Sequence, residues 1–379
     1  MTSDVVARRR PTVIETDASS SFECDYVAGI NRVLSLAPYL LVDNIARNIE
    51  LWRFQSGDCE PVTRALYNVT SYPDDPMASL LDVDIHAAFL HREHRELLVI
   101  NHYGRVRRFD LPTPAGRMHP TGELQLLGDT ERVVMAGDCF VASSPRGEFT
   151  DDAAQPGVFL FEPLAEAPEW TSADPRRLGW DQVLAGWGVV SALAVSPTAD
   201  RLAVAAGQRL GVFSLTCGSS GLRFGDCLWE APLRFHCQWL HFGEPIGLWA
   251  AGHRPSLAGA QGGDWDACRG GSIDALGVDD GAQQFSAVLP EATAWGYGAD
   301  PVVMARGARE VYVLSRDGAL HAINMNTGVA HQLYEALEPR DVAVTSLGIG
   351  HAALRDGWLY AGFSRGGFRL LRYDLRIQA

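Results

Sequence analysis

The stretch Val189–Leu215, VVSALAVSPTADRLAVAAGQRLGVFSL, holds three short apolar strands separated by two tight turns. VSALAVS leads into a turn at Pro197–Asp200, RLAVAAG into a turn at Gly207–Arg209, and LGVFSL completes the set. Strands this short and this apolar, bounded by Pro, Asp and Gly, suit a small antiparallel sheet with both faces covered. Such a sheet cannot bury itself, so it needs copies beside it.

The copies are present. An apolar strand that ends in a large residue and a turn recurs at Trp52, Phe109, Phe161, Phe213, Leu276, Ile323 and Tyr373. These marks fall roughly fifty residues apart, a period that signals propeller blades. Before each mark lies a second strand (YLLVDNI, ELLVINHY, CFVASSP, RLAVAAG, IGLWAAG, EVYVLSRDG, WLYAGFS), and before that an inner one. The last unit has no fourth strand of its own, and TVIET at 12–16 has the alternation and length to supply it. Closing a ring this way removes an exposed sheet edge. The expected fold is therefore all-β, a single seven-bladed β-propeller over residues 22–379. Its blades fall near 29–70, 79–128, 131–172, 188–232, 235–290, 292–338 and 342–377, the last completed by 12–16 from an N-terminal tail at 1–21.

Two motifs resemble known repeat families. Val195-Ser-Pro-Thr-Ala-Asp200, followed by a short strand, resembles the inner turn of WD40 and YVTN propeller repeats. Val311–Gly328, VYVLSRDGALHAINMNTG, is similar to a PQQ-like quinoprotein blade. The paired Trp-Asp of true WD40 repeats is displaced here, because Trp180-Asp181 and Trp265-Asp266 lie in loops. The resemblance implies a propeller and no particular family.

Composition narrows the function. Hydrophobic residues make up 47% and charged residues 21%, as in a globular protein. No apolar run approaches the ~20 residues that span a bilayer, and Arg8–Arg10 has no apolar segment after it, so a cytoplasmic location is expected. The cysteines (Cys24, Cys59, Cys139, Cys217, Cys227, Cys237, Cys268) show no CxxC and read as reduced core residues. A net charge of −14 disfavours nucleic acid and anionic membranes as partners. The arginine runs at 105–108 and 176–177 read as solvated faces. All 32 basic residues are arginine, which removes Walker A, Schiff-base and SxxK chemistry. A GC-rich genome accounts for this; a lysine-free substrate adaptor or delivered effector is the sharper alternative.

In a propeller, second-to-third-strand loops share one face with the loops that lead into inner strands. The long segments 68–78, 144–157, 165–188 and 252–271 all belong to those two classes, and long loops in compact folds carry function. They bear Arg146, Trp170, Arg176, Arg177, Trp180, Trp187, Arg254 and Trp265, the residue types enriched at protein-binding hot spots. The richest ionisable cluster is Asp82, Asp84 and His86, which alternate along an inner strand and read as a satisfied buried network or a weak catalytic candidate. His91 and His94 read as a solvated turn, and no metal-ligand spacing is found. No cofactor is expected. The leading expectation is a non-enzymatic scaffold or accessory subunit, monomeric or within a hetero-complex, that binds another protein through this insert-bearing face. The alternative is a propeller enzyme or small-molecule binder at the central channel, with lactonase-like metal or quinoprotein-like chemistry.

Overall fold

A computed structural model describes residues 9–15, 30–36, 39–44, 48–55, 58–63, 85–91, 95–101, 104–111, 121–126, 130, 132–144, 157–161, 176–177, 187–218, 221–243, 247–254, 270–295, 300–304, 309–337, 349–355, 357–363 and 369–376. These residues form seven four-stranded antiparallel sheets. The N-terminal strand is β1 (Thr12–Glu15), and the first sheet is β2 (Ile30–Leu36), β3 (Tyr39–Asn44), β4 (Asn48–Gln55) and β5 (Asp58–Thr63). The second is β6 (Ile85–His91), β7 (Glu96–Asn101), β8 (Arg105–Asp110) and β9 (Gly122–Gln125). The third comprises β10 (Arg132–Ala136), β11 (Cys139–Ser144), β12 (Gly157–Phe161) and β13 (Arg176–Arg177). Next come β14 (Ala192–Val195), β15 (Arg201–Ala206), β16 (Arg209–Gly218) and β17 (Gly221–Pro232), the sheet first read from the sequence. The fifth holds β18 (His236–Gly243), β19 (Gly247–His253), β20 (Ser272–Leu276) and β21 (Gln283–Val288). The sixth holds β22 (Val302–Met304), β23 (Glu310–Leu314), β24 (Leu320–Asn324) and β25 (Ala330–Tyr334). The seventh is β26 (Ile349–Arg355), β27 (Trp358–Phe363) and β28 (Arg369–Asp374), with β1 as its fourth strand.

That last pairing is the closure expected at 12–16. Thr12 faces Arg372 and Ile14 faces Leu370 in antiparallel register. Ile14 also packs beside Tyr360 and Leu370, so the strand is held by apolar burial as well as by backbone bonds.

The chain divides into two compact units. One is Met1–Ser71 with Ser256–Gly271 and Ala287–Ala379; the other is Tyr72–Pro255 with Ser272–Ser286. In the second unit the first strands of successive sheets lie against one another, β6 on β10, β10 on β14 and β14 on β18. Alternation then explains the apolar runs. In β15, Leu202 and Val204 pack toward Val141 and Leu160 of the preceding sheet, whereas Ala203 and Ala205 pack toward Leu248 and Ala250 of the following one. Both faces of the strand are buried, so every position after Arg201 is apolar. The first unit repeats the rule in β27: Leu359 and Ala361 join Leu314 and Leu320, while Tyr360 joins Ile30 and Trp52.

The first turn read from the sequence is closed by its own side chains. Ser196 Oγ donates to Asp200 Oδ1 at 2.6 Å and accepts from the Asp200 and Arg201 amides at 3.1 and 3.0 Å. Ala199 takes a left-handed φ of 53° to make the bend. Hydrogen bonds from Ser196 and Thr198 hold the Asp200 carboxyl below its ordinary range.

Two expectations need correction. The run at 105–108 is not a solvated face, because it forms β8 and Arg107 is only 6% exposed. His91 is not in a solvated turn: it ends β6, with Nδ1 3.0 Å from Glu96 Oε2 and Nε2 2.8 Å from Asp138 Oδ1 of the next sheet. Its two ring nitrogens join neighbouring sheets, a role that local sequence spacing does not encode.

Candidate functional site

The two ends of the inner strands in the second unit are built differently. At their finishing ends, short turns lace neighbouring sheets together. Arg201 donates to the Val278 carbonyl at 2.8 Å and pairs with Asp279 at 2.7 Å, and Trp229 Nε1–H donates to the same carbonyl at 2.7 Å. The His91–Asp138 contact lies at this end too. At the starting ends the chain departs into the long segments: 145–156 joins β11 to β12, 178–186 precedes the approach to β14, and 255–269 joins β19 to β20.

The starting ends also break the pleat. Register shifts fall between Ile30 and Arg32 in β2, Ile85 and Ala87 in β6, Cys237 and Trp239 in β18, and Ile349 and His351 in β26. Each is a β-bulge with one extra residue (Asn31, His86, Gln238 and Gly350), and at His86 and Gln238 the bulge re-aims the side chain that it inserts. Gly252 fits the β18 bulge for a steric reason, since a Cβ there would overlap the His236 carbonyl oxygen.

Between the β6 and β18 bulges of the second unit, Arg132 at the start of β10 reaches across two sheets. Its Nε–H donates to the Ser191 carbonyl at 2.7 Å and Nη2–H to the Gln238 carbonyl at 3.4 Å. Ser191 Oγ–H donates to the Cys237 carbonyl at 2.5 Å. Beside this lacing, His236 stacks on His253, centroids 5.3 Å apart and planes 24° apart. Nδ1–H of His253 donates to the Arg254 carbonyl at 2.8 Å, leaving Nε2 as the acceptor. Burial, with the neighbouring His236, holds the His253 imidazole below its ordinary pKa. Burial pushes the Cys237 thiol up to about 12, so it is an inert core thiol rather than a nucleophile. Burial likewise raises Asp274 in β20, against the opposing pull of the Ser286 hydroxyl and the Arg234 guanidinium.

The residues singled out from the sequence fall as follows. His86 is buried in β6, at the bulge. Arg176 and Arg177 form β13, where their backbones pair with Leu160 and Phe159; the segment read as one insertion is therefore split, and Trp170 falls in the β12–β13 connection, which leaves from the finishing end, while only 178–186 leads into an inner strand. Trp187 is 8% exposed and lies over Gly211, where any Cβ would come within 2.8 Å of the indole. Arg254 is exposed directly after β19. Asp82, Asp84, Arg146, Trp170, Trp180 and Trp265 lie outside the described residues. Sequence reading missed Arg132, Ser191 and Gln238. RVVM and VVSALAV carried only a strand signal, and the contacts that join them span 59 and 106 residues. Among the described residues no three His, Cys, Asp or Glu side chains converge as metal ligands, and no helix is long and apolar enough to cross a membrane.

Against known proteins, no family model and no curated relative matches the sequence. Solved structures do match the fold. The WD40 β-propeller domain of Doa1 is similar with a TM-score of 0.57 at 7% identity, over 97% of each chain. The β-propeller domain of Cps50 (Swd1) from Myceliophteria thermophila is similar with a TM-score of 0.58 at 10% identity, over 94% of this chain and 99% of that one. The computationally designed Ika8 protein gives 0.50 at 10% identity, over 93% and 98%. Seven four-stranded sheets and these neighbours identify the fold as a seven-bladed β-propeller, closed by the N-terminal strand.

Proposed function

We propose that the chain is a non-enzymatic interaction scaffold or accessory subunit that grips another protein through the insert-bearing ends of its inner strands. The observation that carries this reading is the asymmetry between the two strand ends. The turns after β14 and β20 at one end are short and mutually bonded, whereas the other end launches 145–156, 178–186 and 255–269, which hold Arg146, Trp180 and Trp265, with Arg254 at the edge of the last. Tryptophan and arginine on long loops are the currency of protein recognition. The chain's −14 charge argues against a nucleic-acid ligand. The thiols of Cys227 and Cys237 are free, which fits work in a reducing compartment such as the cytoplasm.

The test is a quantitative capture from the source organism at moderate salt. The wild type is compared with a Trp180→Ala/Trp265→Ala variant and with a control altered on the opposite turns, Asp279→Ala/Asp280→Ala. Stoichiometric capture lost in the first variant and kept in the second supports the reading. Capture that is absent from the wild type, or lost only in the second variant, removes it.

A further inference from the structure

The partner reading leaves the recognised chemistry open, and one side chain shared by three sheets addresses it. Arg132 is half-buried, and both of its hydrogen-bond acceptors, the Ser191 and Gln238 carbonyls, are neutral. No carboxylate among the described residues pairs with it. A guanidinium offers five N–H donors in a planar fork, and two of them are occupied here.

The second observation is independent of the charge. Gln238 is 8% exposed, and its carboxamide oxygen is sealed from solvent with no hydrogen-bond partner. A buried polar atom left in that state costs about 1–3 kcal/mol, and native structures keep few of them. Gln238 is also the extra residue of the β18 bulge, and its own carbonyl accepts from Arg132. The irregularity that inserts Gln238 therefore brings its backbone carbonyl to the guanidinium, and the sealed carboxamide belongs to the same residue.

We propose that Arg132 and Gln238 form a carboxylate socket that takes an acidic side chain or C-terminal carboxylate from a peptide segment of the partner. This rests on the interaction reading above. A guanidinium held by neutral dipoles gives an incoming carboxylate a charge-assisted hydrogen bond in a fixed geometry. The carboxamide turns its NH2 to the same carboxylate or its oxygen to a peptide N–H. The chain as a whole carries −14 and repels anions at long range. Only a carboxylate delivered by surrounding contacts gains from the socket, so it contributes register and specificity more than raw affinity.

The test uses the full chain labelled with 15N-arginine, titrated with N-acetyl-L-glutamate and, as the uncharged control, N-acetyl-L-glutamine. The expected result is a saturable shift of the Arg132 Nε–Hε signal with the glutamate derivative alone. No saturable shift, or an equal shift with the glutamine derivative, overturns the socket. Arg132→Gln assigns the signal but also cuts the lacing between sheets, so Gln238→Met serves as the second variant. It keeps the lacing, and it should weaken the titration about 3- to 10-fold, one hydrogen bond's worth, with the thermal midpoint unchanged or higher. Unchanged affinity in Gln238→Met overturns the part assigned to Gln238. Partner capture by Arg132→Gln at the wild-type level removes the socket from the interface while the interaction reading stands. A saturable titration with no partner captured overturns the peptide source and leaves a site for free carboxylic acids.

Discussion

Replacing Tyr334 by Phe deletes one oxygen atom, and the geometry sets the cost. The Tyr334 hydroxyl donates to the Asp374 carbonyl at 2.8 Å and accepts from the Asp374 amide at 2.9 Å. One hydroxyl thus satisfies both backbone groups of a residue in the next sheet. The ring is 3% exposed and meets Tyr373 edge-on, centroids 5.1 Å apart. Tyr373 in turn donates to the Gly318 carbonyl at 2.9 Å, so the two phenols clip the sixth and seventh sheets together in opposite directions. The Tyr334→Phe change keeps the ring contacts and breaks two bonds. At a net ~1 kcal/mol each the loss is about 2 kcal/mol, against about 1 kcal/mol for Tyr373→Phe, which breaks one. Because the rings touch, the double variant should cost measurably more or less than the sum of the singles. Urea unfolding reads these differences as shifts of the midpoint at constant m. A Tyr334→Phe variant within about 0.5 kcal/mol of wild type, or less affected than Tyr373→Phe, would refute the reasoning, since the bond count is all that separates the two.

Three further outcomes follow from the same geometry. Ala199→Gly should stabilise the chain by about 0.5–1 kcal/mol, because alanine holds a φ of 53° that glycine adopts freely; a lower thermal midpoint would contradict it. Asp274 has its pKa raised by burial, so its contribution is full below the unfolded value of 3.8 and is lost as pH rises through the folded value. Asp274→Asn should therefore raise stability near pH 7.5 by about 1 kcal/mol and converge with wild type near pH 3.5, an idea that a less stable variant at pH 7.5 would sink. His253 has its pKa lowered, so its contribution is full above the unfolded value of 6.5 and declines as pH falls below it. The thermal midpoint of His253→Gln should fall less steeply than wild type between pH 7 and pH 5.5; parallel curves would show that His253 is not the titrating group.

The sequence revealed what depends on local pattern. Pro197–Asp200 announced its turn because Ser196 and Asp200 bond within five residues, and TVIET announced the closing strand because alternation and length are local properties. Blade spacing followed from the large residue that ends each third strand; Phe109, Phe213 and Tyr373 are all fully buried. Contacts set by register or by distant partners were not legible. A bulge is a mismatch between two strands, so HCQWLHF does not show the one at Gln238 by itself. The arginines at 105–108 read as surface from charge, yet Arg107 enters a strand buried on both sides. His91 needed Asp138, 47 residues away, to show its role.

The central claim is that the insert-bearing end meets the partner and the turn-bearing end does not. Hydrogen exchange of the chain, free and in complex with its captured partner, tests this most directly. The account predicts slowed exchange in 145–156, 178–186 and 255–269 and at the starts of β10 and β18, with Ser196–Asp200 and Gly277–Ala282 unchanged. Protection confined to those two turns, with the long segments unaffected, would contradict it.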